Sequence, residues 1–280
     1  MTVRRSAAIL SPAIDLLLVG GLSLLFFVPL LLSGRSDLLL IGIYAQAVLA
    51  TVINMPHFMA SYRIIYRSRE MIVRHKWASM YVPAILLIWV VAAVWTAPST
   101  SILLVLLVTV SSSYLAWHYT GQVWGMMSSY AYLDGTTFEK RERLLIRTSL
   151  RILLVWHVAW FIYGGLRDPE AVRPLWLVIS AGTLVAFLLG ATGLVLLRRR
   201  TGRFPPLRAV VAWLAIFSWY AVMARDRKAI FWIQIAHALQ YLAFPIRVEL
   251  NRTAASVKAH SAEGTGAFAR HIAIYAVGLL

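Results

Sequence analysis

The sequence predicts an all-α protein, a polytopic transmembrane helix bundle of about eight to nine spans with the N-terminus cytoplasmic. Three observations predict it. Of 280 residues, 60% are hydrophobic and only 14% charged, and the mean hydropathy is +0.74. That leaves too little polar surface to cover a soluble globule of this size. Apolar stretches near the 20 or so residues needed to cross a bilayer core of about 30 Å recur along the whole chain. Finally, the basic residues collect in alternate breaks between those stretches.

The apolar segments run from Ala8 to Ser33, Leu38 to Tyr66, Ala78 to Ala97, Ser101 to Tyr132, Thr148 to Leu166, Arg173 to Leu197, Leu207 to Met223 and Ala229 to Arg247. Ser11 and Pro12 suit the cap and first turn of the first segment. That segment follows Arg4 and Arg5 without a small-residue cleavage pattern, so it reads as a retained helix rather than a signal peptide. Asp134-Gly135 and Pro205-Pro206 mark loops, and Pro245, Arg247 and Glu249 read as the end of the eighth helix. The longest hydrophilic stretch, residues 251–267, reads as a cytoplasmic loop. A ninth segment begins near Phe268 and is still apolar at Leu280, where about 13 residues fall short of a full crossing. The expectation is one transmembrane domain over residues 1–280, truncated in its last helix, with no internal repeat and no soluble domain.

The orientation follows from charge. With the N-terminus inside, the outer segments hold Arg35, Arg167, Arg173, Arg225, Arg227 and Lys228, and the inner segments the other 21 of the 27 Lys and Arg residues. This is the positive-inside pattern, and it explains the formal charge of +16 without nucleic acid as a partner. The placement this implies is a bacterial inner membrane, crossed many times. Partners are the bilayer itself and a lipophilic small molecule, while the oligomeric state is left open. Cysteine is absent, which removes disulfides, thiolate ligands and a thiol nucleophile, so a metal would need nitrogen or oxygen ligands.

Polar side chains inside spanning helices are costly and by default face the bundle interior, where they find partners or serve function. Four histidines meet this condition: His57, His118, His157 and His237. His75, His260 and His271 lie in or beside basic loops. At helical spacing Gln46, Ala50, Ile53, Asn54, His57 and Ser61 share one stripe of the second segment, with Pro56 just before the histidine. In the fourth, Ser111, Tyr114, His118, Gln122, Gly125 and Ser129 align, and the motif Trp117-His118-Tyr119-x-x-Gln122 sets imidazole and amide one turn apart. In the eighth, Gln234, His237 and Tyr241 share a face while Gln240 points away. His157, between Trp156 and Trp160, has no polar neighbour at helical spacing. Measured from helix centres, His118, His157 and His237 lie at mid-depth and His57 about 8 Å toward the cytoplasmic side. Measured from the outer ends, His237 is more than about 10 Å shallower than His57 and His118.

Imidazoles from separate helices can hold a redox metal or haem in an apolar interior, with amides and phenols around them. The bland reading is that each histidine bonds a neighbouring helix. Asp15, one turn into the first helix, reads mainly as a cap or a partner for an interfacial arginine, and Arg151 as a snorkelling side chain. Tyr114, Trp117, Tyr119, Trp124 and Tyr241 are candidates for pocket lining, with core packing the simpler role. The chain has no Gly-x-Ser-x-Gly elbow, phosphate-binding glycine loop, His-Glu-x-x-His or paired intramembrane carboxylates, and it lacks the histidine clusters of membrane desaturases.

Pro56-His57 in an early helix, Trp117-His118-Tyr119-x-x-Gln122 in a middle one and His237-Ala-Leu-Gln240-Tyr241 in a late one occur in the same order as in the bacteriorhodopsin-related membrane β-carotene cleavage dioxygenases, which the chain resembles over these short stretches. The resemblance implies a non-haem Fe(II) site with His57, His118 and His237 as ligands, acting with oxygen on an apolar polyene. Further histidines that the family carries are absent from Phe58 to Tyr62 and from Ala238 to Tyr241. The stretch His237 to Leu242 also resembles bacterial multi-pass membrane proteins of unassigned activity. The first expectation is therefore an enzyme that oxidises a carotenoid- or lipid-like substrate, with Gln122 and Tyr241 orienting ligands or oxygen. The alternatives are a haem-binding redox protein using two of the same histidines, and a transporter or non-catalytic subunit of an envelope complex.

Overall fold

Every regular element among the described residues is helical, and there is no strand. The computed structural model describes residues 8–166, 168–259 and 265–277. Arg4, Arg5, Arg167, residues 260–264 of the expected loop and the chain end at Leu280 lie outside the described residues. Among the described residues, seven helices are long and apolar enough to cross a membrane: Pro12–Ser33, Trp77–Thr96, Ile102–Leu133, Lys140–Tyr163, Glu170–Thr201, Leu207–Arg225 and Ala229–Ala255. The chain is thus a multi-pass membrane protein. The expected span from Leu38 to Tyr66 is helical over residues 43–65 but is not one of the seven, because Gln46, Asn54, His57 and Arg63 dilute its apolar character. Among the described residues, the segment near Phe268 lies in the helix Thr265–Val277, whose apolar part is Phe268–Val277.

The helices gather into two compact units, residues 1–64 with 206–280, and residues 65–205. In the first unit, the Ser11 hydroxyl accepts the N–H of Ile14 at 3.2 Å and caps the first helix, as its sequence implies. Asp15 is fully buried. Its carboxylate accepts from the N–H groups of Ile9 and Leu10 at 2.6 and 2.9 Å, and the Arg208 guanidinium lies 3.5 Å away. The first helix is distorted over Leu17–Gly21 into a wide π turn, and there the Leu207–Arg225 helix comes very close. A Cβ on Gly20 would sit 2.6 Å from the Ala215 Cβ and 2.9 Å from the Val211 carbonyl oxygen. Small residues allow this approach, which is how helices gain van der Waals contact in a bilayer.

Two helices run further than their apolar segments. The eighth does not end at Pro245, Arg247 and Glu249 but continues to Ala259, through the start of the stretch expected to be a loop. Proline removes one N–H and crowds one carbonyl, which a helix held on both sides can absorb, and the chain past it is helped by an Arg252–Glu249 pair. In the second unit, the helix expected from Thr148 begins at Lys140, where Glu139 and Glu142 form a reciprocal capping box. Glu142 also pairs with Arg200, from the Arg173–Thr201 helix, at 2.7 and 3.0 Å. Arg200 further meets Glu139 at 3.4 Å and the Thr137 carbonyl at 2.6 Å. Close packing of the same two helices continues at Gly193, where a Cβ would fall 2.7 Å from Ile146.

Candidate metal centre

The helical run over residues 43–65 positions the first histidine. It is α-helical over Ile43–Leu49, opens into a π turn over Ala50–Asn54 and resumes at Met55–Ile65. Pro56 contributes to the break, since it has no N–H for the carbonyl one turn earlier, and single π turns of this kind recur at functional sites. The less exposed side of the run is the stripe expected from periodicity: Gln46, Ala50, Ile53, Asn54 and Ser61 are half-buried and His57 is buried. The N-terminal end of the stripe is occupied locally, because Gln46 donates to the Ile41 carbonyl at 3.1 Å.

His237 and Tyr241 reach the same place from the Ala229–Ala259 helix. The His57 and His237 rings are 4.9 Å apart at 73°, and the His57 and Tyr241 rings 4.8 Å apart at 84°. A ring nitrogen of His57 and one of His237 lie within 4.8 Å of each other. Both histidines are only 5% exposed. The Ser61 hydroxyl donates to the Tyr241 phenol oxygen at 3.3 Å, so the stripe of one helix and the face of the other close on one polar cluster. Tyr241 also packs against Ala60 and Tyr275, and the Arg63 guanidinium stands 5.0 Å over the Tyr275 ring. Sequence reasoning missed Tyr275 and Arg63. Tyr275 lies in the short ninth segment, and Arg63 read as one more inner-face charge.

Gln240 points elsewhere, as its position on the helix implies. Buried to 1%, it donates to the Val19 carbonyl at 2.5 Å, inside the π turn of the first helix. Asp15 is likewise committed, to Arg208 and two backbone N–H groups, and belongs to the scaffold.

His118 and Gln122 lie on the Ile102–Leu133 helix of the second unit and are both half-buried. His118 stacks on Tyr114 at 5.8 Å and 11°, the i, i+4 contact the fourth segment implies. His157 is buried in the same unit among aromatic rings, 5.9 Å from Tyr119 and 6.0 Å from Trp160. These are ring-packing contacts. Trp156 beside it donates to the Ser180 hydroxyl at 3.3 Å.

Ring spacing tests which group the His57–His237 pair would fit. With a metal–nitrogen bond of about 2.1 Å, each ring centroid lies about 3.2 Å from the ion. Two imidazoles at adjacent positions around one ion then have centroids about 4.5–5.2 Å apart, and two on opposite sides about 6.4 Å apart. The observed 4.9 Å falls in the first range. That spacing leaves room for one ion between neighbouring imidazole nitrogens, and it is also the spacing of an edge-to-face ring pair.

Fold and site together define a class: a multi-pass helical membrane protein with a paired-imidazole cluster buried among its helices. Comparison with known proteins does not narrow this class, since no family model matches the chain and neither a curated protein nor a solved structure matches it significantly.

Proposed function

We propose that this is a bacterial inner-membrane enzyme, with the N-terminus cytoplasmic and eight to nine spans, that holds Fe(II) through histidines and uses oxygen to oxidise a lipophilic, carotenoid- or lipid-like substrate drawn from the bilayer. The observation that carries the reading is the pairing of His57 and His237 at 4.9 Å, both buried, since ionisable side chains buried within a membrane bundle by default serve function. His118 is the third ligand of the proposal. It is supported by its place on the polar stripe of its helix, by its motif with Gln122, and by the resemblance to the membrane β-carotene cleavage dioxygenases. A bound ion would supply oxygen activation and Lewis acidity. The chain's own residues do the rest: the imidazoles fix the ion, Tyr241 with Ser61 offers an oriented phenol beside His57, and Gln122 orients a ligand or oxygen. Imidazole also suits zinc, copper and nickel, and the choice of iron rests on the resemblance.

Elemental analysis of purified protein tests this. Wild type should carry near-stoichiometric iron, which His57→Ala, His118→Ala and His237→Ala should lose and His157→Ala should keep. Metal-free wild type, or iron retained by the His57→Ala protein, would overturn the reading.

A further inference from the structure

The Lys140–Tyr163 helix turns one side toward its neighbours in the second unit, burying Ile146, Leu150, Leu153 and Trp156. A flanking side is different. Arg143, Arg147 and Arg151 are spaced by four residues and fall on one exposed face. Arg143 donates to the Phe138 carbonyl at 3.2 Å. Arg147 and Arg151 make no hydrogen bond or ion pair with any described residue, and the carboxylates of the same helix end, Glu139 and Glu142, are committed to Arg200.

Depth makes this ladder unusual. At about 1.5 Å per residue from Lys140, Arg147 stands about 10 Å along the helix and Arg151 about 16 Å. The apolar segment begins near Thr148, so Arg147 marks its edge and Arg151 lies one turn inside. A cation there must reach back toward the interface. The anion that a bilayer itself offers at that level is the phosphate of a lipid headgroup. Guanidinium is also the side chain whose planar fork matches phosphate oxygens two at a time.

We infer that Arg147 and Arg151, with Arg143 above them, form a binding site for an anionic phospholipid headgroup in the leaflet at the Lys140 end of the helix. The acyl chains of that lipid lie along the apolar remainder of the same face, past Val155. This site is independent of the metal and stands or falls without it.

Native mass spectrometry of the full chain released from detergent tests the inference, with phosphatidylglycerol and phosphatidylcholine of identical acyl chains as probes. Wild type should retain several-fold more phosphatidylglycerol than phosphatidylcholine. The double variant Arg147→Gln/Arg151→Gln should lose that excess, while Arg67→Gln/Arg69→Gln, with the same change in charge elsewhere, should keep it. Should the glutamine ladder variant fail to fold, Arg147→Lys/Arg151→Lys is read instead and should lose part of the excess with the lost bidentate geometry. Equal retention of the two lipids by wild type, equal loss in both glutamine variants, or an undiminished excess in the ladder variant that folds would overturn it. The last result would point to a protein partner on this face.

Discussion

His57 follows a proline and a π turn, and it is this local break that leaves a buried imidazole beside Tyr241 rather than against lipid. Much of that cluster was legible residue by residue, because a period of 3.6 put His57 and Ser61 on one stripe and His237 and Tyr241 on one face, with Gln240 off it. What the side chains meet was less legible. Gln240 donates to the Val19 carbonyl, a group presented by a π turn that no spacing rule announces, and replacing Gln240 with Leu should lower stability by about 1–2 kcal/mol, read as an earlier thermal unfolding in detergent. An unshifted transition would mean that this bond contributes nothing. Asp15 carries more. It is fully buried with Arg208 beside it, and Asp15→Ala, which strands a buried arginine, should lose about 3 kcal/mol. Sequence position alone had already suggested a cap or an arginine partner for Asp15.

Helices set the distances that residues exploit. The close crossing at Gly20 was not readable from sequence, since a glycine in an apolar segment says nothing about which helix approaches it. With the Ala215 Cβ only 2.6 Å from where a side chain would start, Gly20→Val should cost about 1–3 kcal/mol or more through overpacking and should loosen the helix that carries Arg208. Denaturant unfolding measures it, and a wild-type midpoint would show that the crossing yields freely. Helix ends were the least legible feature. Apolar content placed the fifth segment's start at Thr148, yet the capping box at Glu139 and Glu142 starts the helix two turns earlier. Pro245 looked like a terminator, yet the helix runs on to Ala259. Hydropathy reports the stretch that lipid tolerates, whereas hydrogen bonding decides where the helix stops.

Composition gave the solvent at once, because a chain this apolar has nowhere to fold but a bilayer. It was less informative on the number of spans. The run over residues 43–65 falls short of the seven most apolar helices through the same polar residues that form its stripe, so counting by hydropathy penalises the helix that carries His57. Orientation is open to direct test, and a chain without cysteine is ready for single-cysteine labelling in intact cells. Ser99→Cys should react with a membrane-impermeant maleimide added outside, and Lys140→Cys only after the membrane is opened. The reverse pattern would invert the assigned topology. The proposed function requires imidazoles from distant parts of the chain to share one ion, and X-ray absorption at the metal edge of purified protein reads that directly. It should show about three imidazole nitrogens near 2.1 Å in wild type, and the edge itself should be lost in His118→Ala. A first shell without imidazole, or one unchanged by any of the three histidine replacements, would contradict it.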